Sequence, residues 1–341
     1  MTDFSPIVSP EALLEDLARP DLRIVDVRWV LGSPGGGRAG YEAGHVPGAI
    51  FLDLDTDLRA PSGPGRHPLP DPRVFRERLE AVGIGADDRV VAYDDAGHIP
   101  GAIFLDLDTD LAASDGPGRH PLPSPAVFRD RLEAAGIGSG DAVVVYDDTG
   151  GATAARLWWM LDDLGHERVA VLDGGFPAWV AAGNPVTTAV PKSRPRGHLD
   201  VNDAWTNVID RAAVAAGLGS FVLLDARAPA RYRGEVEPVD RVPGHIPTAR
   251  NAPSAGNLGP DGRLLDPDAL AARFAALGAD GSAGSPVVTS CGSGVTACHI
   301  SLAMRVAGLP DPILYPGSYS DWTQACLPIA VGPEPGEPPG R

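Results

Sequence analysis

Pro286-Val287-Val288-Thr289-Ser290-Cys291-Gly292-Ser293-Gly294-Val295-Thr296-Ala297 is the stretch whose reading decides the fold. An apolar, β-branched run without polar alternation suits a strand buried on both faces of a parallel sheet. Two glycines then let the backbone curl so that several N–H groups converge on one centre. A helical pattern, Thr296–Ala307, follows directly, and its N-terminus adds positive potential at the same point. A cysteine at this turn has its thiolate stabilised, which is the environment of a nucleophile.

The stretch has a counterpart. Val143-Val144-Val145-Tyr146-Asp147-Asp148-Thr149-Gly150-Gly151-Ala152-Thr153-Ala154 aligns with it at an offset of 143, setting Asp148 against Cys291. The same offset pairs Leu172–Trp179 with Tyr315–Trp322. Upstream, Ile24–Arg28 parallels Leu223–Arg227, and Gly97-His98-Ile99-Pro100 parallels Gly244-His245-Ile246-Pro247. Strands are expected at Arg23–Val27, Ala142–Tyr146, Val169–Leu172, Phe221–Leu224, Pro286–Thr289 and Pro312–Tyr315. Helices are expected at Pro72–Val82, Pro125–Ala135, Ala154–Leu164 and Thr296–Ala307, the first two starting at Pro and ending before Gly. This alternation is α/β with right-handed crossovers. The chain therefore reads as two homologous halves.

A recent duplication lies inside the first half. Residues 43–95 and 96–148 align without a gap, with 41 of 53 positions identical. The expected organisation is an N-terminal domain over 1–185 holding both copies and a linker over 186–206. A C-terminal domain over 207–330 follows, and then a disordered Pro/Gly-rich tail over 331–341.

Composition narrows the function. The 341 residues carry a net charge of −17, which argues against nucleic acid or an anionic membrane as partner. No apolar run reaches the roughly 20 residues of a membrane span. Met1–Pro6 has neither the basic nor the apolar region of a secretory leader, and three cysteines do not make a disulfide scaffold, so a reducing cytoplasm is expected. A cysteine phosphatase needs Arg six residues after the nucleophile to clamp phosphate; that position is Ala297. Cys298-His299 lacks the spacing of a zinc site, and no metal is expected.

Asp-x-Arg with Gly-His-Ile-Pro, the Cys-Gly-Ser-Gly-Val-Thr-Ala loop and the Asp-Gly-Gly-x-x-x-Trp element together resemble a tandem-domain rhodanese sulfurtransferase, over roughly residues 8–330. The resemblance implies two rhodanese-like domains, each a parallel five-stranded sheet flanked by helices, of which only the second is catalytic. It also implies a sulfane sulfur carried on Cys291 from a small-molecule donor to a thiol acceptor such as thioredoxin, or to cyanide, without a cofactor. The loop is closer to the 3-mercaptopyruvate enzymes than to the thiosulfate enzymes, which more often carry basic residues where Gly292 and Ser293 stand.

The resemblance further implies a persulfide cradle formed by Gly292, Gly294, Val295 and Thr296. Arg231 matches the first donor-binding arginine. The second falls nine residues on in the family, and Arg241 or Arg233 are the candidates here. Ser293 matches a serine linked to a His and an Asp of the N-terminal domain. Those two residues fall in the duplicated segment, as Asp108 and His120 of the second copy or Asp55 and His67 of the first. The second copy is expected to dock, because it leads directly into the following loop and helix. The competing reading is a rhodanese-like binding or carrier protein impaired by the insertion.

Overall fold

The computed structural model describes residues 7–8, 22–26, 98–187, 194–282 and 284–339. Two compact units are resolved: Val30–Gly101 with Pro185–Lys192, and the remainder of the chain. In the smaller unit, His98 and Thr187 form an antiparallel bridge, each N–H donating to the other's carbonyl at 2.9 and 3.0 Å.

The larger unit holds two parallel sheets. The first has β1 (Ile7–Val8), β2 (Leu22–Asp26), β3 (Ile103–Phe104), β4 (Ala142–Tyr146) and β5 (Val169–Leu172), in the order β1-β5-β4-β2-β3. Its edge strand β3 comes from the second copy of the duplicated segment, with Val25 opposite Ile103 and Asp26 opposite Phe104. The first copy, with Asp55, His67 and the helix expected over Pro72–Val82, lies outside the described residues.

The second sheet, of β6 (Val222–Asp225), β7 (Arg250–Asn251), β8 (Val287–Ser290) and β9 (Ile313–Leu314), runs β7-β6-β8-β9. Four strands stand where five were expected. The place beside β9 is taken by a single bridge, Val208 with Leu314, because only Asn207 and Ile209 exchange backbone bonds with Leu314 there.

The long central strands and helices fall within a residue or two of their expected positions. Helix α1 (Pro125–Ala134) starts at Ser124, whose hydroxyl accepts from the Val127 N–H at 3.3 Å, and Pro125 needs no N–H partner in the first turn. Helices α2 (Ala154–Asp163) and α3 (Gly175–Ala181) complete the first half. In the second half, α4 (Arg211–Gly217) is capped by Asp210, and α5 (Pro229–Tyr232) follows β6. Then come α6 (Pro267–Ala276), capped by Asp266, α7 (Thr296–Val306) and α8 (Ser318–Gln324).

Helices α2 and α7 pack against each other inside one apolar cluster that spans both halves. The second sheet is covered on both faces, as a parallel sheet must be. Val222, Leu224 and Val287 join the shared core with Leu270 and Phe274 of α6. Leu223 and Val288 join a second cluster with Val214, Tyr319 and Trp322. Each buried aliphatic side chain contributes roughly 2 kcal/mol.

Two segments expected to be irregular are docked. In the linker, Trp205 packs on Phe128 and Trp159 with ring centroids 5.9 Å away and donates to the Pro123 carbonyl. The tail, expected to be disordered, lies along the second half over residues 331–339: the Glu334 carbonyl faces His245 Nε2 at 3.1 Å, and Pro335 accepts from the Thr248 N–H. A Pro-rich segment can dock this way because its carbonyls still accept. Among the described residues no helix is long and apolar enough to cross a membrane.

Candidate active site

Strand β8 delivers Cys291 to the start of α7, where the residue is 2% exposed. Its sulfur receives the N–H groups of Gly294 at 3.1 Å and Ser293 at 3.4 Å. Gly294 adopts φ 78°, and a side chain there would strike the Pro316 carbonyl oxygen. The Cys291 N–H donates to Ser318 Oγ at 3.0 Å, and the Cys291 carbonyl accepts from Tyr319 N. The start of α8 therefore fixes the loop from behind.

The second copy reaches this loop. Asp106 accepts from the N–H groups of Asp108 and Thr109, a local turn that sets the Asp108 carboxylate. The loop beyond it closes through the Ala113 N–H on Pro121 O, and Gly118, at φ 85°, lies so close to Gly317 O and Ser320 Oγ that a Cβ would not fit. His120 Nε2 lies 2.9 Å from Asp108 Oδ1, and His120 Nδ1 lies 2.8 Å from Ser293 Oγ. A carboxylate only accepts, so Nε2 carries the proton and Nδ1 accepts the Ser293 hydroxyl. Burial lowers the His120 pKa below 6.5, against the raising effect of Asp108.

Arg156 of α2 ties the two halves together at this point. It is fully buried and donates to Gly294 O at 3.1 Å, His120 O at 3.1 Å and Leu111 O at 3.4 Å. Cys298, one turn into α7, gives its thiol to Gly294 O, and burial pushes its pKa up to about 12. His299 faces Gly150 O at 3.1 Å and the Asn257 amide at 3.2 Å.

Two guanidiniums stand over the loop. A methyl group on Gly292 would come within 2.6 Å of Arg119 Nη2 and 3.6 Å of Arg231 Nη1 and Nη2. Arg231, at the C-terminal end of α5, bonds Glu237 through Nη2 at 2.6 Å and Nε at 3.1 Å, and Asp240 at 2.9 Å. Arg119 pairs with the other Asp240 oxygen. Burial pushes the Asp240 carboxyl up from its ordinary value, against the pull of Arg119 and Arg231. The other two arginine candidates are not brought to the loop. Arg233 turns outward to Glu235, at 2.6 and 2.9 Å, and Arg241 is exposed. The position nine residues after Arg231 is Asp240. Arg119 is the residue that sequence reasoning missed; its one signal is the Gly-Arg-His-Pro-Leu-Pro run around His120.

The signature motifs lie behind the arginines. Arg227 forks onto Asp225 at 2.6 Å, reaches Glu237 at 3.3 Å and Gly244 O at 2.8 Å, and stacks 3.8 Å over the Tyr319 ring. His245 stacks on Tyr232 at 3.7 Å and holds the Tyr232 carbonyl. Asp-x-Arg and Gly-His-Ile-Pro thus hold Glu237 and α5, and through them Arg231.

The equivalent loop of the first half is filled from within. The Asp147 carboxylate accepts the N–H groups of Thr149, Gly151, Thr153 and Ala154 at 2.7–2.9 Å. Asp148, which aligns with Cys291, is exposed.

The Rhodanese-like domain model matches residues 9–97, 91–182 and 210–325. A probable 3-mercaptopyruvate sulfurtransferase of Pseudomonas aeruginosa is 40% identical over 96% of this chain and 98% of its own. A putative thiosulfate sulfurtransferase of Mycobacterium tuberculosis is 44% identical over 67% of this chain and 80% of its own. The solved 3-mercaptopyruvate sulfurtransferase from Leishmania major superposes with a TM-score of 0.68 at 28% identity, over 94% of this chain and 75% of its own. The chain belongs to the rhodanese family and is a sulfurtransferase of the 3-mercaptopyruvate/thiosulfate type.

Proposed function

We propose that the chain takes sulfur from 3-mercaptopyruvate onto Cys291 and passes it to a thiol acceptor such as reduced thioredoxin, or to cyanide. The observation that carries this reading is the line from Asp108 through His120 to Ser293, ending beside the Cys291 sulfur. Arg231 and Arg119 bind the donor carboxylate, setting its sulfur over Cys291. The Cys291 thiolate attacks that sulfur, and the carbon–sulfur bond breaks with its electrons passing to C3 of the leaving enolate. Neutral His120 takes the donor's thiol proton through Ser293 and returns it to C3, so the products are pyruvate and a Cys291 persulfide anion. The loop N–H groups stabilise that anion. The acceptor thiolate then attacks the outer sulfur and regenerates Cys291.

Thiosulfate is the second donor to consider, since Arg119 and Arg231 would serve a sulfonate as well as a carboxylate. The neutral Gly292 and Ser293 favour mercaptopyruvate. Intact-protein mass spectrometry after mixing with 3-mercaptopyruvate tests the reading. The protein should gain the mass of one sulfur atom, and Cys291→Ser should not. No gain with either donor would leave a binding or carrier protein.

A further inference from the structure

Asp240 sits where a donor anion has to go. Its side chain is 2% exposed, and its two oxygens are spent on Arg119 and Arg231, the guanidiniums that stand over Gly292. It is held in place: Glu237 Oε1 accepts both the Asp240 N–H at 3.0 Å and the Val239 N–H at 3.1 Å. Around the loop Arg119, Arg227 and Arg231 are balanced by Asp225, Glu237 and Asp240, so the donor site is not a net cationic pocket. Arg119 Nε is buried without a hydrogen-bond partner among the described residues, so this guanidinium keeps a donor to offer.

We infer that Asp240 sets donor specificity by charge: as a built-in carboxylate on the Arg119–Arg231 pair, it admits a singly charged donor and disfavours a doubly charged one. This rests on the reading of Cys291 as the sulfur-accepting residue. An incoming anion competes with Asp240 for the same N–H donors and is repelled by it. Mercaptopyruvate brings one negative charge at neutral pH; thiosulfate brings two. A further unit charge about 6 Å from Asp240, at an effective dielectric constant of about 20, costs on the order of a hundredfold in affinity, and salt reduces this toward tenfold. The selectivity is carried by a repulsive group as much as by an attractive one.

The test compares kcat/KM for both donors in the wild type, Asp240→Asn, Asp240→Ser and Asp240→Glu. Removing the charge should raise the thiosulfate-to-mercaptopyruvate ratio by about tenfold or more, through KM. Asp240→Glu should keep the wild-type ratio. Calorimetric titration with sulfate and with pyruvate reads the same effect without turnover, and sulfate affinity should rise more than pyruvate affinity in the charge-removing variants. An unchanged ratio in both, or equal loss with both donors, would overturn the inference. Failure of wild-type Cys291 to gain sulfur would instead sink the proposed reaction, and the anion titrations would still decide the role of Asp240.

Discussion

Ser293 Oγ and His120 Nδ1 meet at 2.8 Å although 173 residues separate them in the chain. This contact joins the two halves beside the Cys291 sulfur, and it uses the second of two nearly identical histidine segments. His120→Gln should therefore lower kcat by about a hundredfold or more, the usual worth of a proton-transfer group. His67→Gln should change it less than about twofold on the same scale. Steady-state turnover of the two variants, each corrected for folded fraction, checks this; a loss confined to His67→Gln would assign the relay to the first copy.

The pH dependence has a definite sign. His120 works as a base only when neutral, and burial lowers its pKa below 6.5. The acid limb of kcat/KM should lie below that value. Asp108 raises the pKa, so Asp108→Asn should move the limb to still lower pH. The same physics acts on stability. His120, His166 and His299 are all lowered by burial. As pH falls through 6.5 the unfolded chain takes up protons that the folded chain refuses, so stability declines from there toward each depressed value. Melting temperature measured between pH 7.5 and 5.5 should fall on the acid side.

Asp147 offers a contrast between the halves. It places a carboxylate where the second half keeps open N–H groups for sulfur. Four charge-assisted bonds from a fully buried side chain make Asp147→Ala costly, on the order of 3 kcal/mol. The midpoint of urea unfolding reads the cost. Introducing a cysteine at Asp148 should not create a second sulfur acceptor, because the N–H groups stay committed to Asp147; a persulfide on that cysteine would contradict this.

What the sequence made legible was local or repeated. The strand, the glycine turn and the helix around Cys291 are contiguous, and the internal alignment made visible the first half, with Asp148 opposite Cys291. The long central strands and β9 were readable from their unbroken apolar runs, whereas β1, β3 and β7 are two residues each, too short to carry a period. Arg119 was hidden because its approach to Gly292 is a tertiary fact, and Arg66 occupies the matching place in the other copy. Proximity in sequence misled for Arg233, which Glu235 turns to solvent, and for Arg241. The alignment pointed to Asp148, but the neighbouring Asp147 is the residue whose side chain turns inward.

Arg156 gives the most demanding prediction. It is a fully buried cation, burial lowers its pKa, and it donates to three carbonyls of the neighbouring segments: Leu111 and His120 of the second copy and Gly294 of the cysteine loop. A guanidinium can hold three carbonyls at fixed angles, which an ammonium cannot. Arg156→Met fills the volume but takes the guanidinium donor from the Leu111 and His120 carbonyls and leaves Gly294 O with the Cys298 thiol alone, at about 1–3 kcal/mol for each carbonyl left unpaired that water cannot reach. The protein should lose stability, and in the folded fraction His120 should no longer be registered on Ser293. Turnover should then fall by about tenfold or more, since small misplacements of reacting groups are costly. If Arg119 and Arg231 bind the donor as proposed, its KM should change less than the rate. Arg156→Lys should recover part of the stability and little of the turnover. A variant that loses stability yet keeps full kcat per folded molecule would reduce Arg156 to a structural clamp with no part in aligning the relay.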